Sequence, residues 1–258
     1  FDAVIQAVTG VESAVSAASA PATPYAGASG TVGLWHFDEG VSTRAADSSG
    51  SANHGGLGCL SAACVSTPTF ITADAAAALR EPLLDGLASA VRMNGQTDSL
   101  VNVPHSASLN FGGSLTVQAW ARFKNISVSS AGVVSKGYFG DEAFALDFAR
   151  TAAGSVKARF LVRDSGGTTL FSVTSTQTIP ANAWVHLTGV YDQPGGELRM
   201  FVDGALSATA PGPASRRLNA HLLSIGSRQS GAALYDLSFS GDIDEVHVLN
   251  QVRLSTQV

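Results

Sequence analysis

From residue 89 to the C-terminus, apolar and polar positions alternate in short runs, and the runs are separated by Gly, Pro, Asn and Asp. A period of two is the signature of strands with one buried face. The pattern predicts strands near 89–94, 98–103, 115–124, 131–136, 143–150, 155–163, 168–175, 184–191, 197–202, 222–227 and 238–249, with Asp203-Gly204 as a tight hairpin turn. In one run Val156, Ala158, Phe160 and Val162 alternate with Lys157, Arg159, Leu161 and Arg163; in another Phe144, Leu146 and Phe148 alternate with Ala145, Asp147 and Ala149. Each therefore has a core face and a polar face, the latter either solvated or lining a groove. Strands at short spacing without intervening helices predict an all-β sandwich or jelly roll.

The last run, Gly241-Asp242-Ile243-Asp244-Glu245-Val246-His247-Val248-Leu249, packs three carboxylates into four residues before it turns apolar. Strict alternation puts Asp242 and Asp244 on the face of Val246 and Val248, with Glu245 and His247 opposite. Asp244 is thus expected to face the core, where a carboxylate must be ion-paired, hydrogen-bonded or metal-bound.

The N-terminal part is organised differently. Phe1, Val4, Val8, Val11, Val15 and Ala18 take a and d positions of a heptad repeat, so residues 1–20 read as an N-terminal helix. β-branched seam residues favour three strands, which makes a homotrimeric coiled-coil stalk one reading and a helix packed on its own domain, or a partly ordered tail, the others. Residues 21–30, with Pro21, Pro24, Gly27 and Gly30, form a linker. The globular domain is expected over 31–258. It begins with a strand-like run from Thr31 to Glu39, followed by an oxygen-rich loop, Asp47 to Gly55. Within 59–88 a short helix is expected over Ala73–Arg80, and Cys59 and Cys64 enclose four residues. That pair reads as a disulfide-closed loop of an oxidising compartment, or as two unlinked thiols, and its spacing is not that of a zinc site.

Composition narrows the function. The 258 residues carry a net charge of −5 with 14% charged residues and 27 Gly. This balance lacks the basic footprint of a nucleic-acid partner. No apolar run or basic amphipathic stretch predicts membrane insertion. Phe1 in place of an initiator Met fits a mature product or a fragment.

The order of several segments resembles the laminin-G-like branch of the concanavalin A-like lectin/glucanase superfamily. The segments are Val32 to Gly40, Ala46 to Gly50 with Asn53-His54-Gly55, Val103 to Asn110, Leu115 to Trp120, Val134 to Gly137, Trp184 to Tyr191, Met200 to Gly204, Leu223 to Gly226 and Gly241 to Val246. The resemblance implies a two-sheet antiparallel jelly-roll sandwich with its first and last strands side by side. It also implies a structural Ca²⁺ where they meet, held by Asp47, Asn53 and Asp244, with Asp242 or Glu39 joining. Calcium's need for six to eight oxygen ligands suits these groups. The alternative is a metal-free network in which backbone amides and Ser48 or His54 satisfy the acids.

The superfamily includes glucanases, in which a Glu-x-Asp-x-Glu alternation projects three acids into one cleft. Here Glu245 follows Asp244 directly and falls on the other face, which argues against a glycosidase pair. The expected function is a non-catalytic extracellular or cell-surface recognition domain for carbohydrate or a glycoconjugate, presented in threes at a fibre tip where residues 1–20 trimerise. A structural or protein-binding module is the alternative. The candidate ligand-binding residues are Tyr138, Phe139 and Tyr235 for stacking, and Asp141, Arg163 and Arg228 for directional hydrogen bonds.

Overall fold

The computed structural model describes residues 29–58, 66–71 and 89–253. Two antiparallel eight-stranded sheets face each other among these residues. With strands numbered in chain order, the first sheet runs β14 (Ala205–Pro211), β13 (Glu197–Val202), β12 (Val185–Asp192), β7 (Leu115–Phe123), β18 (Ser240–Leu249), β5 (Ala90–Asn94) and β4 (Thr69–Ile71), and β1 (Thr31–Trp35) also pairs with β18. The second runs β11 (Leu170–Thr174), β10 (Val156–Arg163), β9 (Phe144–Arg150), β8 (Ser130–Lys136), β15 (Leu223–Ile225), β6 (Val101–Val103), β3 (Gly55–Leu57) and β2 (Arg44–Ala45). A small hairpin, β16 (Ser227–Arg228) with β17 (Leu237–Ser238), crosses from the second sheet to β18. The expected jelly-roll sandwich is therefore the observed fold, with its first and last strands paired. The N-terminal helix over 1–20, the helix over Ala73–Arg80, and Cys59 and Cys64 lie outside the described residues.

The alternation explains why the sheets stack. Phe144, Leu146 and Phe148 from β9 and Ala158, Phe160 and Val162 from β10 meet Val117, Ala119 and Leu187 of the first sheet in one contiguous core. Such apolar burial is the dominant stabilising contribution. Trp35 is fully buried there, and its indole N–H donates to the Asn53 carbonyl at 3.0 Å, tying β1 to the loop that follows it.

Strict alternation fails in β18. Asp244 pairs with Trp120 and His247 with Gln118, so three steps on β18 match two on β7. The extra residue is Glu245, at φ +47°, and a bulge of this kind reverses which face the following side chains occupy. Ile243, Val246 and Val248 all reach the core. Asp242 and Asp244 point away from it, on the outer face of the first sheet, which corrects the expectation that Asp244 faces inward. There Asp242 is fully buried between two arginines of the flanking strands: Arg92 Nε donates to Oδ1 at 2.7 Å, and Arg122 Nη2 to Oδ2 at 2.6 Å. Glu245, off the ladder, meets His36 Nδ1 at 2.9 Å.

Candidate functional site

The turn that joins β8 to β9 begins at Gly137, at φ +100°, where a Cβ would lie 2.2 Å from the Asp141 carbonyl and 2.7 Å from Asn219 Nδ2. Only glycine fits so close an approach. The Asp141 amide donates back to the Tyr138 carbonyl at 2.8 Å, which places Tyr138 and Phe139 at the tip. A second loop, 229–236, lies beside it, and buried Gln229 joins the two. Its carbonyl accepts from the Phe139 amide at 3.0 Å and its Oε1 from the Ala233 amide at 2.8 Å.

Of the residues proposed from sequence, Tyr138, Phe139 and Asp141 share one rim. Phe139 is 60% exposed, a large apolar ring offered to solvent. The Tyr138 ring meets His221 edge-on with centroids 4.9 Å apart. His221 Nε2 lies 2.9 Å from Asp141 Oδ2, and Arg217 Nε donates to Oδ1 at 2.6 Å. Burial pushes the Asp141 carboxyl up, but the bonds from Arg217 and His221 outweigh it and hold it below the usual carboxylate value. Tyr235 stands apart from the stacking role expected of it. It is half-buried in the hairpin, where its carbonyl accepts from Ser238 Oγ at 3.0 Å, and the exposed apolar position of that loop is Leu234.

Arg163 and Arg228 serve beneath the rim rather than on it. Both are buried and both bind Glu142, Arg163 through Nη2 at 2.7 Å and Arg228 through Nη2 at 2.5 Å. Arg228 continues to Asp147 at 3.3 Å, which in turn pairs with Arg159 at 2.7 Å and accepts from Ser130 Oγ at 2.6 Å. A chain of alternating charges thus runs across the outer face of β8, β9 and β10, with the Phe139 ring centroid 5.9 Å from the Arg228 guanidinium. The charged faces of these strands, open to solvent or groove in the sequence, are used to seat the loops. Glu142 and Gln229 fall within the loops 137–142 and 228–235 that the sequence points to, without a role of their own, whereas Arg217 and His221 were not singled out from sequence. They lie in stretches without periodicity, and only the adjacent cations Arg216-Arg217 before β15 signal them.

The family model of the concanavalin A-like lectin/glucanases superfamily matches residues 94–258, more than half of the chain. The chain belongs to this superfamily. Among curated proteins, none matches it in sequence. Among solved structures it is similar to domain 4 of AbnA, a GH43 extracellular arabinanase from Geobacillus stearothermophilus, in complex with arabinotriose, at 15% identity and TM-score 0.61, covering 88% of this chain and 95% of that one. It is also similar to the binding domain of Paraclostridial Mosquitocidal Protein 1, at 12% identity and TM-score 0.64, covering 88% of this chain and 50% of that one. The binding domain of botulinum neurotoxin serotype G gives 12% identity and TM-score 0.60, with 88% and 49% covered. The chain thus spans about half the length of either toxin binding domain. At such identities the likeness is one of fold.

The calcium site implied by the resemblance to this superfamily can be tested on the donors. Asp47 Oδ1 accepts from the Leu34 and Ser49 amides, both at 2.9 Å, and Oδ2 from Ser49 Oγ at 2.8 Å and the Asn53 amide at 2.7 Å. Four donors fill the roughly four lone-pair sites of a carboxylate. Asn53 Oδ1 accepts from Ser106 Oγ at 2.5 Å, and its Nδ2 donates to the Val32 carbonyl at 2.7 Å. Glu39 Oε1 takes the Ala46 amide at 2.5 Å. Asp242 faces two guanidiniums, and Asp244 Oδ1 accepts from the Glu245 amide at 2.9 Å on the outer face of the sheet. Asp47 and Asp242 spend their oxygens on protein donors, which does not suit a calcium cage, whereas Glu39 Oε2 is buried without a hydrogen-bond partner; no group of three or more His, Cys, Asp or Glu that could hold a metal occurs among the described residues. Asp47 matches the amide-satisfied alternative, with His54 Nδ1 accepting from the Asp47 amide at 3.0 Å instead of donating to its carboxylate.

Proposed function

We propose that the chain is a non-catalytic extracellular recognition domain that binds carbohydrate or a cell-surface glycoconjugate through the rim formed by Tyr138, Phe139, Asp141, Arg217 and His221. The observation that carries this reading is the exposed Phe139 ring held above a buried ion network, beside a carboxylate, an imidazole and a guanidinium fixed to one another. A flat apolar ring takes the C–H face of a sugar, and fixed polar groups at its edge take the hydroxyls. The fold of the AbnA domain, whose structure contains arabinotriose, supports a sugar ligand on such a scaffold.

The non-catalytic half of the reading rests on charge. A glycosidase acid needs a raised pKa. Asp141, the carboxylate of the rim, is held low instead, and Asp242 is fully buried between two arginines. The heptad spacing of residues 1–20 supports presentation in threes, which would multiply weak contacts by avidity.

A glycan array probed with the whole chain and with Phe139→Ala tests the function. Binding to defined glycans that is weakened in the variant supports it; no binding across a broad array, with capture of a protein partner instead, replaces it with the protein-binding module. Light scattering tests the stalk, and a monomeric chain would remove the fibre-tip arrangement.

A further inference from the structure

Lys136 ends β8 just before the rim, on the same side as the core residues Phe144 and Leu223 that pair with it, and is 1% exposed. Its ammonium donates to the His221 carbonyl and lies 3.3 Å from His105 Nδ1. An ammonium has three donors, so one N–H is left without an acceptor among the described residues. The nearby cation, Arg216, is equally buried and is held by the Phe111 carbonyl and ring. Neither forms an ion pair with a carboxylate among the described residues, whereas Arg163, Arg217 and Arg228 each do. Burial, with Arg216 beside it, pulls Lys136 down to about 8, which is how a buried cation lacking a counter-charge behaves. The exposed imidazole of His105 lies beside the ammonium, and His221 joins it to the rim: its backbone carbonyl accepts from the ammonium while its imidazole meets Asp141.

We propose that Lys136, His105 and His221 form an anion subsite adjoining the aromatic rim, which takes the carboxylate or sulfate of an acidic sugar whose ring rests on Tyr138 and Phe139. The anion replaces His105 Nδ1 as the acceptor for the ammonium, and the displaced imidazole turns to donate to it. Arg216 contributes its charge from behind without contact. This assignment of ligand class rests on the glycan-recognition reading above.

The test titrates the whole chain calorimetrically near neutral pH with a glucuronate trisaccharide, the neutral glucose trisaccharide of the same linkage, and inorganic sulfate. The glucuronate compound is expected to bind about tenfold or more tightly than its neutral counterpart, the scale of one charge-assisted hydrogen bond, and to be competed by sulfate. Lys136→Met should abolish the preference. His105→Ala, at an exposed position that leaves the core intact, should weaken it several-fold and so guards against misfolding of the first variant. Equal binding of both trisaccharides overturns the subsite while leaving sugar recognition standing. Sulfate binding with neither trisaccharide bound overturns the acidic-sugar assignment together with the rim.

Discussion

Arg228 and Glu142 meet at 2.5 Å beneath the Phe139 loop, each almost wholly buried. Glu142 is shared with Arg163, so one carboxylate ties the hairpin at 227–238 to β10 and to its own turn, where Oε2 also accepts from the Gly140 amide at 3.0 Å. Replacing Glu142 with Gln leaves two buried guanidiniums facing a neutral amide. Removing one partner of a buried pair costs about 3–5 kcal/mol. Glu142→Gln is expected to lose roughly 3 kcal/mol in urea unfolding, with faster proteolysis in 137–142 and 229–236. An unchanged urea midpoint would show that the network contributes nothing to stability.

The Asp47 clasp predicts indifference to chelators. Its oxygens are filled by amide and hydroxyl donors from Leu34, Ser49 and Asn53, so no mass-action stabilisation by a divalent ion is expected there. EDTA should leave the melting temperature unchanged, and added Ca²⁺ should not raise it. Asp47→Ala should lower it sharply, because buried amides then lose their acceptor at about 1–3 kcal/mol each. A melting point that falls in EDTA and recovers with Ca²⁺ would restore the calcium site.

How far the sequence reaches can be judged from particular residues. The strands of 115–123, 144–150 and 156–163 were legible because packing of one face into the core writes a period of two into the residues, and 130–136, buried throughout, was legible as a short run bounded by turn residues. β14 was passed over although Asp203-Gly204 marked its hairpin: as the outermost strand paired with β13 alone, it is partly exposed on both faces and carries no alternation. The face of Asp244 was misread because a bulge at a glutamate leaves no compositional trace, whereas one at glycine would. In the rim, Tyr138, Phe139 and Asp141 were legible as a Gly-bounded loop of aromatic and acidic residues. Arg217 and His221 were not, since their place beside Asp141 depends on the path of an irregular segment.

Acid should destabilise the protein before its carboxylates titrate. Burial pulls His186 and His247 down to about 4 in the folded chain. Both lie on the outer face of the first sheet, His186 against Trp120 with ring centroids 5.2 Å apart and His247 with Nε2 2.7 Å from Thr31 Oγ1. An unfolded imidazole titrates near 6.5. Above that value both states are neutral and stability is complete. As pH falls from about 6.5 toward 4 the unfolded chain takes up protons that the folded chain resists, and stability is lost by up to roughly 3 kcal/mol per histidine. Urea midpoints should fall across this window, and His247→Gln or His186→Gln should flatten the profile. A flat profile in the unaltered chain would mean that neither imidazole is held neutral.

Gly132 offers a way to separate the binding rim from the fold that carries it. β16 crosses the outer face of β8 so closely that a Cβ on Gly132 would lie 2.4 Å from the Ser227 carbonyl carbon and 2.5 Å from the Arg228 nitrogen. Gly132→Ala must therefore lift the hairpin, and with it Arg228 from Glu142 and Gln229 from the Phe139 loop. Overpacking of this kind costs about 1–3 kcal/mol, which a core of this size can absorb. The expected result is a folded chain with a lowered urea midpoint and loss of glycan binding. Phe139→Ala, at an exposed ring, should lose about tenfold in binding, the scale of one stacking contact, at unchanged stability. Retention of full binding by Gly132→Ala would mean that the rim does not depend on the hairpin beneath it, and the ligand surface would have to be sought elsewhere on the sandwich.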